Sequence, residues 1–282
     1  MTIGRSTAFR LGAMALGVTG LFLAWSQNQA PELTMEKVSA NVYVIVGSGG
    51  NVAFMPTDEG VLVVDDKFAQ DAPQIMQKIR SVTDKPIRYV LNTHQHGDHT
   101  GGNEAMRAQK AEIIIHKNAR ANMVAGKMPG LPGITFSDET QVFIDGKEVL
   151  MKYFGRGHTN GDAMVFFPSE RVVHTGDLFT SGAPFCDANA KCSINEWGAT
   201  IGKAVQMDFD TVIPGHGAVQ KKADLVKYGQ TLGTMRDRIK VACAGGAADA
   251  AKRLDFKDLG YPTLSMSPLF TSGLPGMCEE MK

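Results

Sequence analysis

Three histidines and one aspartate are concentrated in the six-residue segment HQHGDH, which begins at His94 and ends at His99. Neutral imidazole and carboxylate groups are ligands that suit Zn²⁺, and they also suit Fe or Mn. In an extended segment, residues i and i+2 point the same way, so His94 and His96 can bind one ion together. A turn at the glycine that follows would direct Asp98 and His99 toward a second position.

Three more candidate ligands follow along the chain, and each has a glycine beside it. His158 lies in GHTNGD, Asp177 in TGD and His216 in PGHG. Glycine tolerates tight backbone turns, so these side chains can reach a shared centre where strands end in loops. The remaining histidines, His116 and His174, match no such pattern, and we expect packing or supporting roles for them.

The elements that would position these residues can be predicted from short β-branched runs and from apolar residues at helical spacing. Strands are predicted at residues 42–46, 60–64, 87–91, 111–115, 141–144, 148–154, 163–167, 171–175 and 211–213. Helices are predicted at residues 72–82, 103–109, 118–124, 195–207 and 222–242. Each half of the chain contributes strands and then helices, which predicts two β-sheets packed face to face with helices outside.

The composition is that of a folded soluble protein, with 43% hydrophobic and 21% charged residues among 282. Lys+Arg and Asp+Glu each number 29, so no overall electric field favours nucleic acid or an anionic membrane. We therefore expect a small-molecule substrate and no nucleic-acid partner. The oligomeric state stays open.

The first residues have the pattern of a secretory signal peptide. Two arginines precede a mostly apolar run at residues 11–25, and a small-x-small cleavage signal follows. We predict a signal peptide at residues 1–26 and one mature domain at 27–282, with a helical C-terminal segment from about residue 220. An uncleaved membrane anchor is the alternative, but the run is short for a full span. Export would place the protein in the bacterial periplasm, without stable membrane insertion after cleavage.

The four cysteines suit disulfide formation in an oxidising compartment, because their number is even. Four cysteines allow three connectivities. We predict the local pairing, with one disulfide between Cys186 and Cys192 and another between Cys243 and Cys278. Buried free thiols are the alternative.

Taken in chain order, HQHGDH, GHT, GD and GHG resemble the motifs of the metallo-β-lactamase superfamily. The resemblance extends from about residue 42 to residue 217. It implies an α/β fold, namely an αββα sandwich of two mixed β-sheets with helices on the outer faces and the metal site at one edge. It also matches Asp65 to an early aspartate that supports the histidine loop, although an ordinary strand-end aspartate is the alternative.

The resemblance further implies a centre with two divalent metal ions, Zn²⁺ or otherwise Fe or Mn. Its ligands to the first ion would be His94, His96 and His158. Its ligands to the second ion would be Asp98, His99 and His216, with Asp177 bridging the two. A hydroxide between the ions would be the nucleophile, and Asp98 would be the catalytic residue that orients it and carries its proton.

Departures from the individual branches narrow the expected substrate. No cysteine occupies a ligand position, unlike in one group of β-lactamases, and the cysteine-free β-lactamases lack the bridging carboxylate that Asp177 would supply. In the superfamily, such a carboxylate is typical of hydroxyacylglutathione hydrolases, lactonases, sulfatases and phosphodiesterases. We predict a zinc-dependent periplasmic hydrolase of a small ester, lactone or β-lactam. The alternatives are a β-lactamase proper and a non-hydrolytic metal protein that assists periplasmic redox enzymes.

Overall fold

The first half of the chain forms one β-sheet and the second half forms another. A computed structural model describes residues 32–282, so the predicted signal peptide at residues 1–26 lies outside the described residues. The first sheet has seven strands, which neighbour one another in chain order: β1 (Thr34–Lys37), β2 (Tyr43–Val46), β3 (Val52–Pro56), β4 (Val61–Val64), β5 (Ile87–Asn92), β6 (Glu112–His116) and β7 (Ile134–Phe136). β1 to β4 pair antiparallel, whereas β4 to β7 pair parallel.

The second sheet has six strands, also adjacent in chain order: β8 (Glu139–Ile144), β9 (Lys147–Tyr153), β10 (Ala163–Phe167), β11 (Val172–His174), β12 (Thr211–Ile213) and β13 (Gln220–Lys221). Only β11 and β12 pair parallel, and the other neighbours pair antiparallel. Both sheets are therefore mixed, as predicted.

Among residues 32–282, four helices belong to the first half of the chain: α1 (Ala72–Arg80), α2 (Gly97–Thr100), α3 (Asn103–Ala108) and α4 (Lys117–Ala125). Four follow in the second half: α5 (Ile194–Ala204), α6 (Lys222–Cys243), α7 (Ala247–Arg253) and α8 (Pro268–Glu280). α1 and α3 cover the outer face of the first sheet, and α5 and α6 cover that of the second. This arrangement confirms the predicted αββα sandwich.

The alternation of side chains along the strands explains why β4 is apolar at every position. Leu62 and Val64 point inward and pack against the second sheet, whereas Val61 and Val63 point outward and pack beneath α1. All four are completely buried, and full burial of such a side chain contributes about 1.5–3 kcal/mol. A strand covered on both faces has no polar side, so it appears as a continuous apolar run in the sequence.

The predicted elements are present within one to three residues of their expected ends, but four strands were not predicted. These are β1, β3, β7 and β13. β1 and β13 lie at sheet edges and are short and polar, so burial leaves no apolar pattern in them. β3 follows a glycine-rich turn and ends at a proline, so its short apolar run reads as part of a loop in the sequence.

Both predicted disulfides are present. Cys186 and Cys192 close a short loop after β11, and Cys243 and Cys278 join the end of α6 to α8. Among residues 32–282, no helix combines the length and the apolar character needed to cross a bilayer.

Candidate metal centre

The histidine loop follows the C-terminal end of β5, a central strand whose last residue, Asn92, is buried. Residues 93–95 form a bend, His96 is extended, and the chain then enters α2 at Gly97, where the sequence predicted a turn. His94 and His96 nevertheless face the same point, with 3.1 Å between Nε2 of His94 and Nδ1 of His96. The turn of α2 directs Asp98 and His99 to the neighbouring position, as the spacing implied.

The loop between β9 and β10 brings His158 to the same point, and the turn after β11 brings Asp177. Nε2 of His158 lies 2.9 Å from Nδ1 of His96. One ligand atom from each of His94, His96, His158 and Asp177 lies within 4.8 Å of the others. This set is the first ligand group.

Asp98, His99 and His216 form the second ligand group, and their ligand atoms also lie within 4.8 Å of one another. His216 comes from the loop after β12, and its Nε2 lies 3.3 Å from Oδ2 of Asp98 and 3.4 Å from Nε2 of His99. The structure therefore places all seven predicted ligands in two adjacent clusters. That they bind metal ions remains a prediction.

The carboxylate of Asp177 lies between the two clusters. Its Oδ2 is 3.7 Å from Nε2 of His158, in the first group. Its Oδ1 is 3.2 Å from Nε2 of His99 and 3.4 Å from Nε2 of His216, in the second group. Oδ1 is buried and makes no well-aligned hydrogen bond. One oxygen toward each group is the geometry that a bridging ligand needs.

The outer ring nitrogens of the first group are all matched to acceptors. The hydroxyl of Thr93 donates to Asp65, so Nδ1 of His94 donates to that hydroxyl oxygen at 3.0 Å. Nε2 of His96 donates to Asp187, and Nδ1 of His158 donates to the carbonyl of Phe185. Each inner nitrogen is thereby left with a lone pair that points at the centre. Three converging lone pairs and a carboxylate fit a divalent cation such as Zn²⁺.

Electrostatics in the two groups differ. Burial lowers the pKa of His94 well below its usual value, with help from His99 and His96, so this imidazole is neutral. Burial opposes a charge on His216 too, but Asp177 and Asp98 outweigh it and raise its pKa to about 9. Burial likewise disfavours the Asp177 carboxylate, yet the charge on His99 holds its pKa well below the usual range. Asp98 and Asp177 thus place two negative charges beside His99 and His216, and a cation would displace the protons that these histidines hold.

Asp65 contacts the histidine loop from behind, as the resemblance implied. Its Oδ1 accepts from the main-chain N–H of Thr93 at 2.7 Å, and its Oδ2 lies 2.8 Å from Nδ1 of His99. The side chain is completely buried. A hydrogen on Nδ1 of His99 leaves Nε2 free to face the second group, so Asp65 orients a predicted ligand.

Two glycines allow the main chain to approach the centre. A Cβ at Gly50 would overlap the imidazole ring of His99, and one at Gly215 would overlap Oδ1 of Asp177. The N–H of Asn51 donates to the carbonyl of Gly215 at 2.7 Å, which joins the two sheets beside the site. Gly215 was visible in its motif, whereas the role of Gly50 was not predicted.

The remaining histidines have structural roles, as expected. His116 donates from Nε2 to the carbonyl of Ser137 at 2.8 Å and stacks on Tyr153. His174 is buried and donates from Nε2 to the carbonyl of Asn51 at 3.0 Å. Trp197 is in the core, where its Nε1 donates to the carbonyl of Leu178.

An open cavity of about 630 Å³ lies over the two groups. Its walls comprise Phe68, His96, Gly97, Asp98, Asp177, Thr180, Gly182, Ala183, Phe185 and His216. Phe68 and Phe185 are each 37% exposed and supply its largest apolar surfaces. The volume lies in the range of pockets that hold small molecules. Phe68 and Thr180 were not identified from the sequence.

Comparison with known proteins agrees with this geometry. The sequence profile of the metallo-beta-lactamase superfamily matches residues 36–216. The alpha subunit of 2,4-dinitroanisole O-demethylase from Nocardioides sp. (strain JS1661) is 28% identical over 194 residues, which cover 66% of this chain and 58% of that protein. A metallo-beta-lactamase type 2 from Elizabethkingia meningoseptica is 27% identical over 239 residues, covering 76% of this chain and 92% of the relative.

Solved structures share the fold. A metallo-beta-lactamase from Pontibacter korlensis superposes with a TM-score of 0.64 and 21% identity, covering 70% of this chain and 99% of that one. The DIM-1 metallo-beta-lactamase gives 0.65 and 21%, covering 73% and 99%. Together with the profile match over most of both sheets, these findings show that the chain belongs to the metallo-beta-lactamase superfamily of hydrolases.

Proposed function

We propose that the protein is a dinuclear, zinc-dependent hydrolase that cleaves a small ester or lactone at least as well as a β-lactam. The observation that carries the proposal is the position of Asp177, with one carboxylate oxygen toward each ligand group. His94, His96 and His158 would hold the first ion, and Asp98, His99 and His216 the second. When bound, such ions supply Lewis-acid polarisation of a carbonyl and a water molecule of lowered pKa as nucleophile.

In this proposal Asp98 would be the residue that moves a proton. Its Oδ2 lies 3.3 Å from Nε2 of His216, and its side chain, 23% exposed, also lines the cavity. Burial alone would raise its pKa, but contact with His216 and the charge on His99 lower it, so the carboxylate is ionised. An ionised carboxylate at the cavity wall can orient a water molecule, accept its proton and pass it to a leaving group.

The cavity walls favour a substrate that is uncharged and partly apolar. Within the described part of the chain, no lysine or arginine lines the cavity, whereas Phe68 and Phe185 do. A carboxylate on the substrate, which β-lactam antibiotics carry, would find no cationic side chain there. The bridging carboxylate of Asp177 also reduces the positive charge available to stabilise an anionic nitrogen leaving group. An alkoxide or phenolate needs less of that help.

β-Lactam hydrolysis is the second candidate, because a metallo-beta-lactamase type 2 is 27% identical over most of its length. The Nocardioides relative supports a substrate other than a β-lactam, since the compound in its name is an aromatic ether rather than a lactam. Superfamily membership leaves the substrate open, because specificity resides in the loops around the site.

We also propose that the protein works in the bacterial periplasm after removal of residues 1–26. The two disulfides support this, because such bonds persist in oxidising compartments. Cell fractionation followed by mass determination of the intact mature chain tests it. A full-length chain in the cytoplasmic fraction would contradict it.

The substrate proposal is tested with purified metal-loaded protein. kcat/KM is measured for an aryl ester, an acyl lactone and a chromogenic β-lactam, with metal-free protein as the control. We expect the ester or lactone to match or exceed the lactam. If the lactam is preferred by more than about tenfold, roughly 1.4 kcal/mol of transition-state stabilisation, the β-lactamase function replaces the proposal. No turnover by metal-loaded protein of any of the three would favour a non-hydrolytic role.

A further inference from the structure

We propose that the disulfide loop Cys186–Cys192 is a working part of the metal centre, and that Asp187 within it is a positioning residue for the first ion. The loop holds His96 and His158 in the orientation that ligation needs. This inference rests on the proposed function only in assuming that the first ligand group binds a metal ion.

The two residues that flank Cys186 in the chain contact two histidines of the first group. The carbonyl of Phe185 accepts from Nδ1 of His158 at 2.6 Å. The main-chain N–H of Asp187 donates to the carbonyl of His158 at 3.0 Å. Oδ2 of Asp187 accepts from Nε2 of His96 at 2.8 Å. Cys186 lies between Phe185 and Asp187, so the disulfide is attached to the chain directly between the residues that contact His158 and His96.

These contacts determine which ring nitrogen carries the hydrogen. Asp187 keeps it on Nε2 of His96, which leaves the lone pair on Nδ1. That nitrogen is the one that lies 3.1 Å from Nε2 of His94 and 2.9 Å from Nε2 of His158. A carboxylate behind a ligating imidazole fixes both the tautomer and the ring orientation, and it makes the ligand more basic.

The disulfide explains how an otherwise irregular segment can hold a carboxylate in place. Asp187 precedes a single 3-10 turn, Ala188–Ala190, and its Oδ1 accepts from the N–H of Asn189 at 3.0 Å. The N–H of Cys192 returns to the carbonyl of Asp187 at 3.0 Å. Linking Cys186 to Cys192 closes this loop covalently and removes its more open conformations. Asp187 therefore need not be ordered by metal binding itself.

Phe185, the residue directly before the loop, forms part of the cavity wall, so the order of the loop affects both the metal ligands and the substrate cavity. The ring of Phe185 lies 5.5 Å from that of His158 and 6.3 Å from that of His96. A displaced loop would move Phe185, Cys186 and Asp187 together.

The first test replaces Asp187 and keeps the disulfide. Zn²⁺ is titrated into metal-free protein against a competing chelator, which gives one dissociation constant for each ion. For Asp187→Ala we expect affinity at the first site to fall by about 10–100-fold, the range typical of residues behind a ligand, with the second site unchanged. Asp187→Asn should retain part of the affinity, because its amide oxygen can still accept from Nε2 of His96. The exposed Asn189→Ala is the matched control on the same loop and should bind as wild type.

The second test removes each disulfide in turn. We expect the double variant Cys186→Ser/Cys192→Ser to weaken the first site and to change the absorption spectrum of Co²⁺ bound there. The matched control, Cys243→Ser/Cys278→Ser, should lower the melting temperature and leave both affinities unchanged, since that bond joins α6 to α8.

The outcomes separate this inference from the proposed function. If wild type binds two ions and Asp187→Ala binds each of them with the wild-type affinity, the inference is wrong, but the proposal of a dinuclear metal centre is unaffected. Equal loss at both sites would also overturn it, because that result indicates general unfolding. A wild-type protein that takes up no metal would overturn both proposals.

Discussion

The two ligand groups contain similar residues but are held in different ways. In the first group, His94 and His158 are almost completely buried, the side chain of His96 is 25% exposed, and every outer ring nitrogen is matched to an acceptor. In the second group, His99 is completely buried, whereas the side chains of His216 and Asp98 are 37% and 23% exposed and line the cavity. The hydrogen bonds fix the ring orientations of the first group, whereas the second group offers more of its surface to substrate and water.

The charges follow the same division. The buried His94 is neutral, whereas Asp98 and Asp177 concentrate negative charge around His99 and His216. The difference supports a division of tasks, in which the first group would anchor one ion and the second would hold another ion less tightly beside the substrate. Asp177 contacts both groups, and Thr93 and Asp65 connect them from behind.

The largest expected effect is on folding, from Asp65→Ala. This change leaves Nδ1 of His99 and the N–H of Thr93 without their buried acceptor. Removing one partner of a buried ionic pair typically costs about 3–5 kcal/mol. The free energy of unfolding is measured by denaturant titration of metal-free protein. Asp65→Asn, which keeps a hydrogen-bond acceptor, should lower the free energy of unfolding less than Asp65→Ala does. Equal losses for the two variants would show that the acceptor at this position does not stabilise the fold.

The next effect is on catalysis, from Asp177→Ala. We expect kcat/KM to fall by more than about 100-fold, because even residues behind a metal ligand contribute roughly 10–100-fold. The second ion should be lost and the first retained, and elemental analysis of the variant measures this. Asp84→Ala, at an exposed aspartate, serves as the control. Loss of both ions together would show that the groups are not separable. In wild type, one ion per chain, unchanged by added metal, would rule out a dinuclear centre.

His94→Ala sharpens the comparison from the other side. This change removes a neutral ligand from the buried group, so the first ion should be weakened while Asp98, His99 and His216 remain in place. Dissociation constants for Zn²⁺ in this variant and in His216→Ala should show opposite patterns at the two sites. Identical patterns would contradict the separate roles of the groups.

Metal removal should destabilise the folded protein without unfolding it. An ion present at 100 times its dissociation constant stabilises the fold by about 2.7 kcal/mol. We expect a lower melting temperature in chelator, with the ion of the more exposed second group leaving first. Thermal unfolding at graded chelator concentrations, with metal content measured in parallel, checks the order. Loss of the buried ion first would reverse the comparison.

The smallest effect is expected from Thr93→Val, which affects both groups equally. The hydroxyl of Thr93 donates to Asp65 and accepts from His94. Loss of a buried hydrogen bond of this kind lowers the free energy of unfolding by about 1 kcal/mol. We also expect a modest loss of affinity for both ions. Thr93→Ser retains the hydroxyl and should restore the wild-type values. An effect on one ion alone would show that Thr93 does not connect the groups.

Local patterns made the seven candidate ligands visible in the sequence. Each lies beside a glycine or in a dense histidine segment, and these motifs sit at strand ends whose apolar runs are easily recognised. Asp187 and Phe68 lack any such pattern. Asp187 meets His96 across 91 positions of the chain, and only the folded backbone determines that contact. Its position next to Cys186 in a predicted disulfide loop was the one available signal.

The same reasoning separates the strands that were predicted from those that were not. β4 buries both faces along its whole length, β5 does so from Val90 to Asn92, and both strands show it in their composition. β13 has two polar residues at a sheet edge, and hydrogen bonds to β12 alone define it as a strand. Main-chain hydrogen bonds do not restrict which side chains a strand carries. Edge strands of this kind can therefore be identified only from the tertiary structure.

The construction of each sheet from one uninterrupted half of the chain governs how the nascent protein matures. The first sheet is complete at Phe136, before any strand of the second has been synthesised. The inner face of the first sheet, with Val44, Leu62 and Leu91, has nothing to pack against until the second sheet has been synthesised. Synthesis proceeds at about 5–20 residues per second, so several seconds pass before Lys221 emerges. During that interval the half-built sandwich presents an apolar surface to its neighbours, and a holdase chaperone that covers it would set the yield of active enzyme.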